Sequence, residues 1–311
     1  MSSLANVELR ELRIFLALAD ELHFGRAAER LGVSQSTVSE AVRLLERRVG
    51  TRLFDRTSRR VTLTPAGGDL RRALTPNIEG LDQALGRVRD NAAGVSGTLR
   101  IVTTSTTRLP PVVQLCKAFR ARYPECAVHI DSAIIHDPFV PLRRGRADVL
   151  VNWLAIDEPD LKMGPVIAAY ERVLAVARGH RLAGRESVSM EDIADESVCA
   201  MPSTFPESMM DAFMPPRSPS GRPIRRMHIQ QAGETWSFGA AMAAVARGEI
   251  VHPTVRFHNV LAMEDVALLP IRDLPPLPLG LIWRTATEED VKVRALAQVA
   301  VAEGPWTAAI S

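Results

Sequence analysis

The sequence predicts three parts in series: a small N-terminal helical domain ending in a β-hairpin, one long helix, and a larger C-terminal α/β domain of two subdomains. Three observations carry this. The length of 311 residues exceeds one compact core and suits a small domain plus a larger one. Apolar residues recur at helical spacing through the first 50 positions, and again in steps of four and three between positions 74 and 92. From position 98 onward, short strand-like apolar runs alternate with helical ones.

In the first part, Leu9, Leu12, Phe15, Leu16 and Ala19 place an amphipathic helix over residues 8–20. A second helix runs from Gly25 to Leu31, where Ala27 and Ala28 allow close approach, and Gly32 suits a left-handed helix end. Ser34 is a good N-cap for a third helix from Gln35 to about Val49. Its Val38, Ala41, Val42, Leu45 and Val49 face inward, while Gln35, Ser36, Ser39, Glu40, Arg43 and Arg47 face outward. Short hydrogen-bonding residues followed by arginine on the open face of a packed helix suit a helix that reads the major groove. Residues 52–56 and 60–63 flank the polar turn Thr57-Ser58-Arg59 and predict a β-hairpin wing carrying Arg56, Arg59 and Arg60.

Charge supports the same reading. The chain has a net charge of +2, yet residues 42–60 hold seven arginines (43, 47, 48, 52, 56, 59, 60) against Glu46 and Asp55. A basic patch on a near-neutral chain points to a polyanion touching one small part of the molecule.

Thr64-Pro65 is a strong helix start, and Leu74, Ile78, Leu81, Leu85, Val88 and Ala92 form a coiled-coil seam that Gly94 closes. Such a seam predicts a partner helix and hence a dimer. Pro76 removes a backbone hydrogen bond and predicts a kink or break near Ala73 to Asn77.

Beyond it, strands are predicted at residues 99–102, 127–131 and 147–151, with helices at 112–123 and 138–144. A second unit starts near Pro165, with strands at 172–177 and 197–201 and a helix at 235–247. Strands at 267–269 and 279–283 and a closing helix at 288–302 complete the pattern. This gives α/β layers with parallel sheets and a cleft between two subdomains, resembling periplasmic solute-binding proteins.

Apolar residues at 46% and charged residues at 24% are ordinary for a globular chain. No run approaches the ~18 apolar residues of a membrane span, and the start Met1-Ser2-Ser3-Leu4 has no secretory pattern, so a cytoplasmic location is expected. Cys116, Cys126 and Cys199 are widely spaced and form no metal or disulfide pattern. His129, His136, His180, Glu234 and His252 compose no triad, metal set or phosphate loop, so no catalytic residue, metal or cofactor is expected and the chain is not read as an enzyme.

The chain resembles LysR-type transcription regulators over nearly its full length. The resemblance rests on residues 24–33 (FGRAAERLGV), 34–39 (SQSTVS), Leu45-Glu46, 52–56 (RLFDR) and 63–67 (LTPAG). It continues through 97–101 (GTLRI), 119–124 (FRARYP), 145–148 (GRAD), Gly179-His180 and Trp283-Arg284. It implies an all-α winged helix-turn-helix over 1–64, a linker and dimerisation helix over 65–94, and an effector-binding domain over 95–311. Within the last, subdomain I covers 95–164 and 268–311, and subdomain II covers 165–267. The implied partners are operator DNA, a small-molecule effector, further copies in a homodimer or homotetramer, and RNA polymerase, with no membrane. The resemblance places operator contacts at Gln35, Ser36, Ser39 and Arg56, to which the recognition helix and the wing add Thr37, Arg43 and Arg59. It places the effector against Thr104, Ser105, Thr106, Ser203, Thr204 and the start of the helix at Thr235, with Trp153 or Trp236 as an apolar wall. The hydroxyls after the first strand, beside a helix N-terminus, suit a small organic acid with some apolar or aromatic bulk, bound across the cleft. The alternatives are redox sensing through cysteine and DNA binding without an effector.

Overall fold

The computed structural model describes residues 7–56, 61–104, 110–135, 137–201, 204–228, 237–256 and 264–306; the side chains of residues 56, 79, 82–84 and 86–93 are excepted. It divides into two compact units, Met1–Gly86 and Arg87–Ser311.

In the first unit, α1 (Leu9–Glu21), α2 (Phe24–Leu31) and α3 (Gln35–Val49) pack around Phe15, Leu18, Ala27, Val38, Val42 and Leu45, all fully buried. Each helix end has a local cause. Leu22 ends α1 in a left-handed conformation at φ 47°, and the His23 Nδ1 accepts from the Gly25 amide to start α2. Gly32 ends α2 at φ 63°, Ser34 Oγ accepts from the Thr37 amide at 3.2 Å, and Gly50 ends α3 at φ 76°. The Glu11 carboxylate, 5% exposed, pairs with Arg48 and ties α1 to α3.

Next, β1 (Phe54–Arg56) pairs antiparallel with β2 (Val61–Leu63), with Phe54 opposite Leu63. The Phe54 ring meets Phe15 at 5.5 Å between centroids, anchoring the hairpin on the helical core. The hairpin tip, with Arg59 and Arg60, lies outside the described residues.

Helix α4 (Pro65–Ala93) begins at Thr64, whose Oγ1 accepts from the Gly67 amide and donates to the Arg52 carbonyl. It runs without a break through Pro76, where the sequence predicts a kink or an interruption. On either side of Pro76, Thr75 Oγ1 donates to the Arg71 carbonyl and Asn77 Nδ2 to the Ala73 carbonyl, each one turn back. The helix stops before Gly94, which has φ 81°.

The second unit begins with β3 (Gly97–Thr103), α5 (Pro110–Arg122), β4 (Cys126–Ser132), α6 (Val140–Arg143), β5 (Val149–Trp153) and β6 (Leu161–Tyr170). The chain continues through β7 (Arg172–Ala177), α7 (Met190–Ile193), β8 (Ser197–Cys199), α8 (Glu207–Phe213) and β9 (Arg225–Met227). It ends with α9 (Phe238–Ala246), β10 (His252–Val255), β11 (Val266–Pro270), β12 (Leu277–Arg284) and α10 (Val291–Glu303).

One sheet has the order β4-β3-β5-β12-β6 and another β10-β7-β11, with β8 and β9 pairing separately. The sheets are mixed and not parallel throughout. In the first, β3 runs parallel to β4 and β5 while β12 is antiparallel to β5 and β6; the second is antiparallel. Two subdomains result, but the chain crosses between them at Glu171 and again between Pro270 and Leu277. The sequence places these crossings near 164/165 and 267/268. The difference has a physical source in Gly164-Pro165, which reads as a boundary but lies inside edge strand β6. An edge strand tolerates proline, and a Cβ at Gly164 would fall 2.1 Å from the Trp283 ring carbon Cζ3, so only glycine admits that ring.

Candidate functional site

Two surfaces can do chemistry, one in each unit. On α3, Gln35, Ser36, Arg43 and Arg47 are exposed, and Thr37 and Ser39 half-buried. Ser34 Oγ lies 2.7 Å from Ser36 Oγ and 2.8 Å from Thr37 Oγ1, a cluster of hydroxyls around the N-cap. The charges of this unit are unevenly compensated. Arg26, Arg30, Arg48 and Arg71 pair with Glu21, Asp20, Glu11 and Asp20, whereas Arg43, Arg47 and Arg52 pair with no described residue. These three line a shallow groove beside the C-terminal half of α3. Glu46, in the same groove, accepts hydrogen bonds from the Leu53 and Phe54 amides at 3.0 and 3.2 Å, so this acid fixes the start of the hairpin. The result is a helix face and groove with net positive charge, suited to phosphate. Arg56 ends β1 with its side chain outside the described residues, as is all of Arg59.

In the second unit, a cavity of about 40 Å³ lies between the two subdomains. The first subdomain supplies Thr104, Ile135, Asn152 and Trp153. From the second come Cys199 and Met201, then Phe205, Met209, Met210 and Phe213 on and before α8. The remaining wall is Phe238 with His252, Pro253 and Thr254 of β10. Trp153 packs edge-on against Tyr170 at 5.7 Å and Phe213 at 5.9 Å, and Phe238 meets the His252 ring at 6.0 Å. Asn152 Oδ1 accepts from the Trp153 amide at 2.9 Å. Burial pushes the His252 imidazole down to about 4, so it is neutral at physiological pH.

Of the effector positions expected from sequence, Thr104 and Trp153 line this cavity. Thr204 is exposed in the turn before α8 and does not; Ser105, Thr106, Ser203, Thr235 and Trp236 lie outside the described residues. Sequence reasoning missed α8 and β10. For α8 a signal existed, because Phe205, Met209, Met210 and Phe213 recur at helical spacing. A lone Asn152 inside the apolar run Val149-Leu150-Val151 was the other clue.

All three cysteines are buried and none forms a disulfide; burial pushes the Cys116 thiol up to about 11, away from the reactive thiolate. Among the described residues there is no cluster of three or more His, Cys, Asp or Glu side chains placed to hold a metal ion. No described helix is long and apolar enough to cross a membrane.

Comparison with known proteins gives a consistent result. A model of bacterial regulatory helix-turn-helix proteins of the lysR family matches residues 9–68, and one of the LysR substrate binding domain matches residues 92–305. The HTH-type transcriptional regulator ShiR of Corynebacterium glutamicum (strain R) is 30% identical over 292 residues, covering 89% of this chain and 92% of that protein. The uncharacterized regulator YnfL of Escherichia coli (strain K12) is 34% identical over 194 residues, covering 61% of this chain and 64% of YnfL. Among solved structures, full-length CbnR complexed with its target DNA aligns with a TM-score of 0.64, 19% identity, and coverage of 96% of this chain and 100% of that one. Full-length OxyR from Pseudomonas aeruginosa aligns at 0.56 and 24% identity, covering 95% and 98%. These two likenesses establish the shared fold.

Proposed function

The chain belongs to the LysR family of DNA-binding transcription regulators, and from that premise we propose which residues read the operator and what the second unit senses. The observation that carries the first point is the arginine groove beside the C-terminal half of α3, on the helix whose N-terminal residues Gln35 and Ser36 are exposed. Gln35, Ser36, Thr37 and Ser39 contact base edges, while Arg43, Arg56 and Arg59 hold the phosphates. Residues 1–64 form the DNA-binding domain, 65–94 the linker and 95–311 the sensing domain. The protein works in the cytoplasm and acts on RNA polymerase at its promoter.

Base contacts contribute about 1–3 kcal/mol of discrimination, whereas phosphate contacts weaken all sequences alike. Gln35→Ala is therefore expected to flatten the affinity differences across a set of operator variants. Arg56→Ala should lower every affinity and reduce the salt slope by about 1. Fluorescence anisotropy across the set checks both; a change of sequence preference in Arg56→Ala would reverse the assignment.

Dimerisation runs through the seam of α4. Leu81 and Leu85 are 40% and 49% exposed on the single chain, an apolar stripe that a second helix would cover, and pairs of dimers give the tetramer. Leu81→Asp with Leu85→Asp buries two charges in that contact and should yield a lighter species in light scattering. An unchanged mass would place the main contact elsewhere.

The effector is a small organic acid bound in the cleft. The cavity between the subdomains supports this, with Thr104 and Trp153 in its wall. The other expected positions adjoin it in sequence: Ser105 and Thr106 follow Thr104, Ser203 and Thr204 precede Phe205, and Thr235 and Trp236 precede Phe238. The alternative reading, redox sensing through cysteine, has no support from Cys116, whose thiol burial raises away from the thiolate.

A further inference from the structure

The cavity between the two subdomains has a definite chemical character. No Lys, Arg, Asp or Glu lines it among the described residues. Its polar groups are Thr104, Asn152, His252 and Thr254, between 1% and 8% exposed. All four are neutral, since desolvation keeps the imidazole uncharged. The one buried arginine among the described residues of this unit, Arg172, donates Nη1 to the Phe213 carbonyl at 3.2 Å and does not line the cavity.

A carboxylate moved into such a wall would lose its hydration with no cation among the described lining residues to replace it, whereas an aromatic ring would gain contact with Trp153, Phe213 and Phe238. The neutral donors and acceptors suit a hydroxyl or carbonyl on that ring. At about 40 Å³ the cavity holds a few water molecules and must widen to admit a ring. Met201, Met209 and Met210 are unbranched and can yield by changing rotamer.

We propose that this cavity receives an uncharged aromatic ring carrying a hydrogen-bonding substituent, and that the effector's acid group stays outside it. The inference rests on the assignment of the cleft as the effector site and adds the class of ligand, a hydroxylated single-ring aromatic.

The test measures binding to the full-length protein by calorimetry with four probes: 4-hydroxybenzoate, 4-hydroxybenzamide, benzamide and succinate. Both hydroxylated rings should bind, charged or neutral, with 4-hydroxybenzamide about fivefold tighter than benzamide and succinate not binding. Thr254→Val, close in shape, should bring the ratio of the two benzamides towards one. That ratio is read within one protein and does not depend on how much of it is folded. Binding of succinate and 4-hydroxybenzoate without the neutral amides would overturn the inference and leave the organic-acid effector standing. Binding of the neutral ring with no effect of any probe on operator affinity would uphold the cavity's chemistry and remove the effector assignment. If none of the four binds, the aromatic class is wrong.

Discussion

Gly67→Ala is expected to abolish operator binding at growth temperature, while Gly68→Ala, one residue further on, leaves it intact. Both glycines lie in the first turns of α4, where alanine is intrinsically better by about 1 kcal/mol. Their surroundings differ. A Cβ at Gly68 would meet only Arg72 Nη1, at 3.9 Å, whereas one at Gly67 would fall 2.1 Å from the Leu53 carbonyl oxygen and 2.9 Å from Leu63 Cδ2. The Leu53 carbonyl cannot turn aside freely. It accepts from the Thr64 amide at 3.0 Å, and the Leu53 amide is held by Glu46. Relief therefore requires α4 to move away from the hairpin that Phe54 anchors on the core. Overpacking costs typically 1–3 kcal/mol when side chains can adjust, and a backbone obstacle belongs at or above the top of that range. A domain of this size has little stability to spare. Hydrogen exchange of the α1–α3 amides, with operator binding measured alongside, checks the pair. Equal behaviour of the two variants would show that the close approach is not needed.

The same close approach explains why Gly67 belongs to the motif 63–67 noted in the sequence, whose wording carries no hint of a contact with Leu53. Elements governed by neighbours in the chain were legible. Ser34, Gly32 and the apolar stripe of α3 are local signals, and they locate the helix-turn-helix to within a residue or two. Elements governed by tertiary partners were not. Strand β6 contains Gly164-Pro165 because Trp283 lies over it, and no local rule turns a Gly-Pro pair into the middle of a strand. The cavity shows the same division. Thr104 and Trp153 stand at the ends of readable strands, but Asn152, His252 and the α8 methionines meet only when two subdomains close on each other.

Arg172→Met is expected to make the sensing domain more stable while loosening the cavity wall. Arg172 opens β7 just after the first crossing, is 6% exposed, and makes no ion pair with any described residue. Its one side-chain hydrogen bond with a described partner runs from Nη1 to the Phe213 carbonyl at the end of α8. Burial pushes the guanidinium down to about 10. At pH 7 the group is charged in both the folded and unfolded chain, so the whole shift weighs against folding, on the order of 3 kcal/mol. A lowered folded-state value for a cation is a penalty that persists below about pH 10 and is relieved only as pH rises above it. Methionine fills similar space without the charge. It also gives up the bond to the Phe213 carbonyl, which returns about 1 kcal/mol of the gain. A net rise of about 1–2 kcal/mol corresponds to roughly 2–8 °C in a unit of this size. The gap between variant and parent should stay flat from pH 6 to 9 in scanning calorimetry, because Arg172 does not titrate there. Arg172→Ala, which also empties the space, should be less stable than Arg172→Met. The functional consequence follows from the lost tether: with its carbonyl released, Phe213 is no longer held edge-on to Trp153, so ligand binding in the cavity should weaken as the fold gains stability. A fall in melting temperature equal to that of Arg172→Ala would show that the buried charge is compensated and that the tether is simply structural.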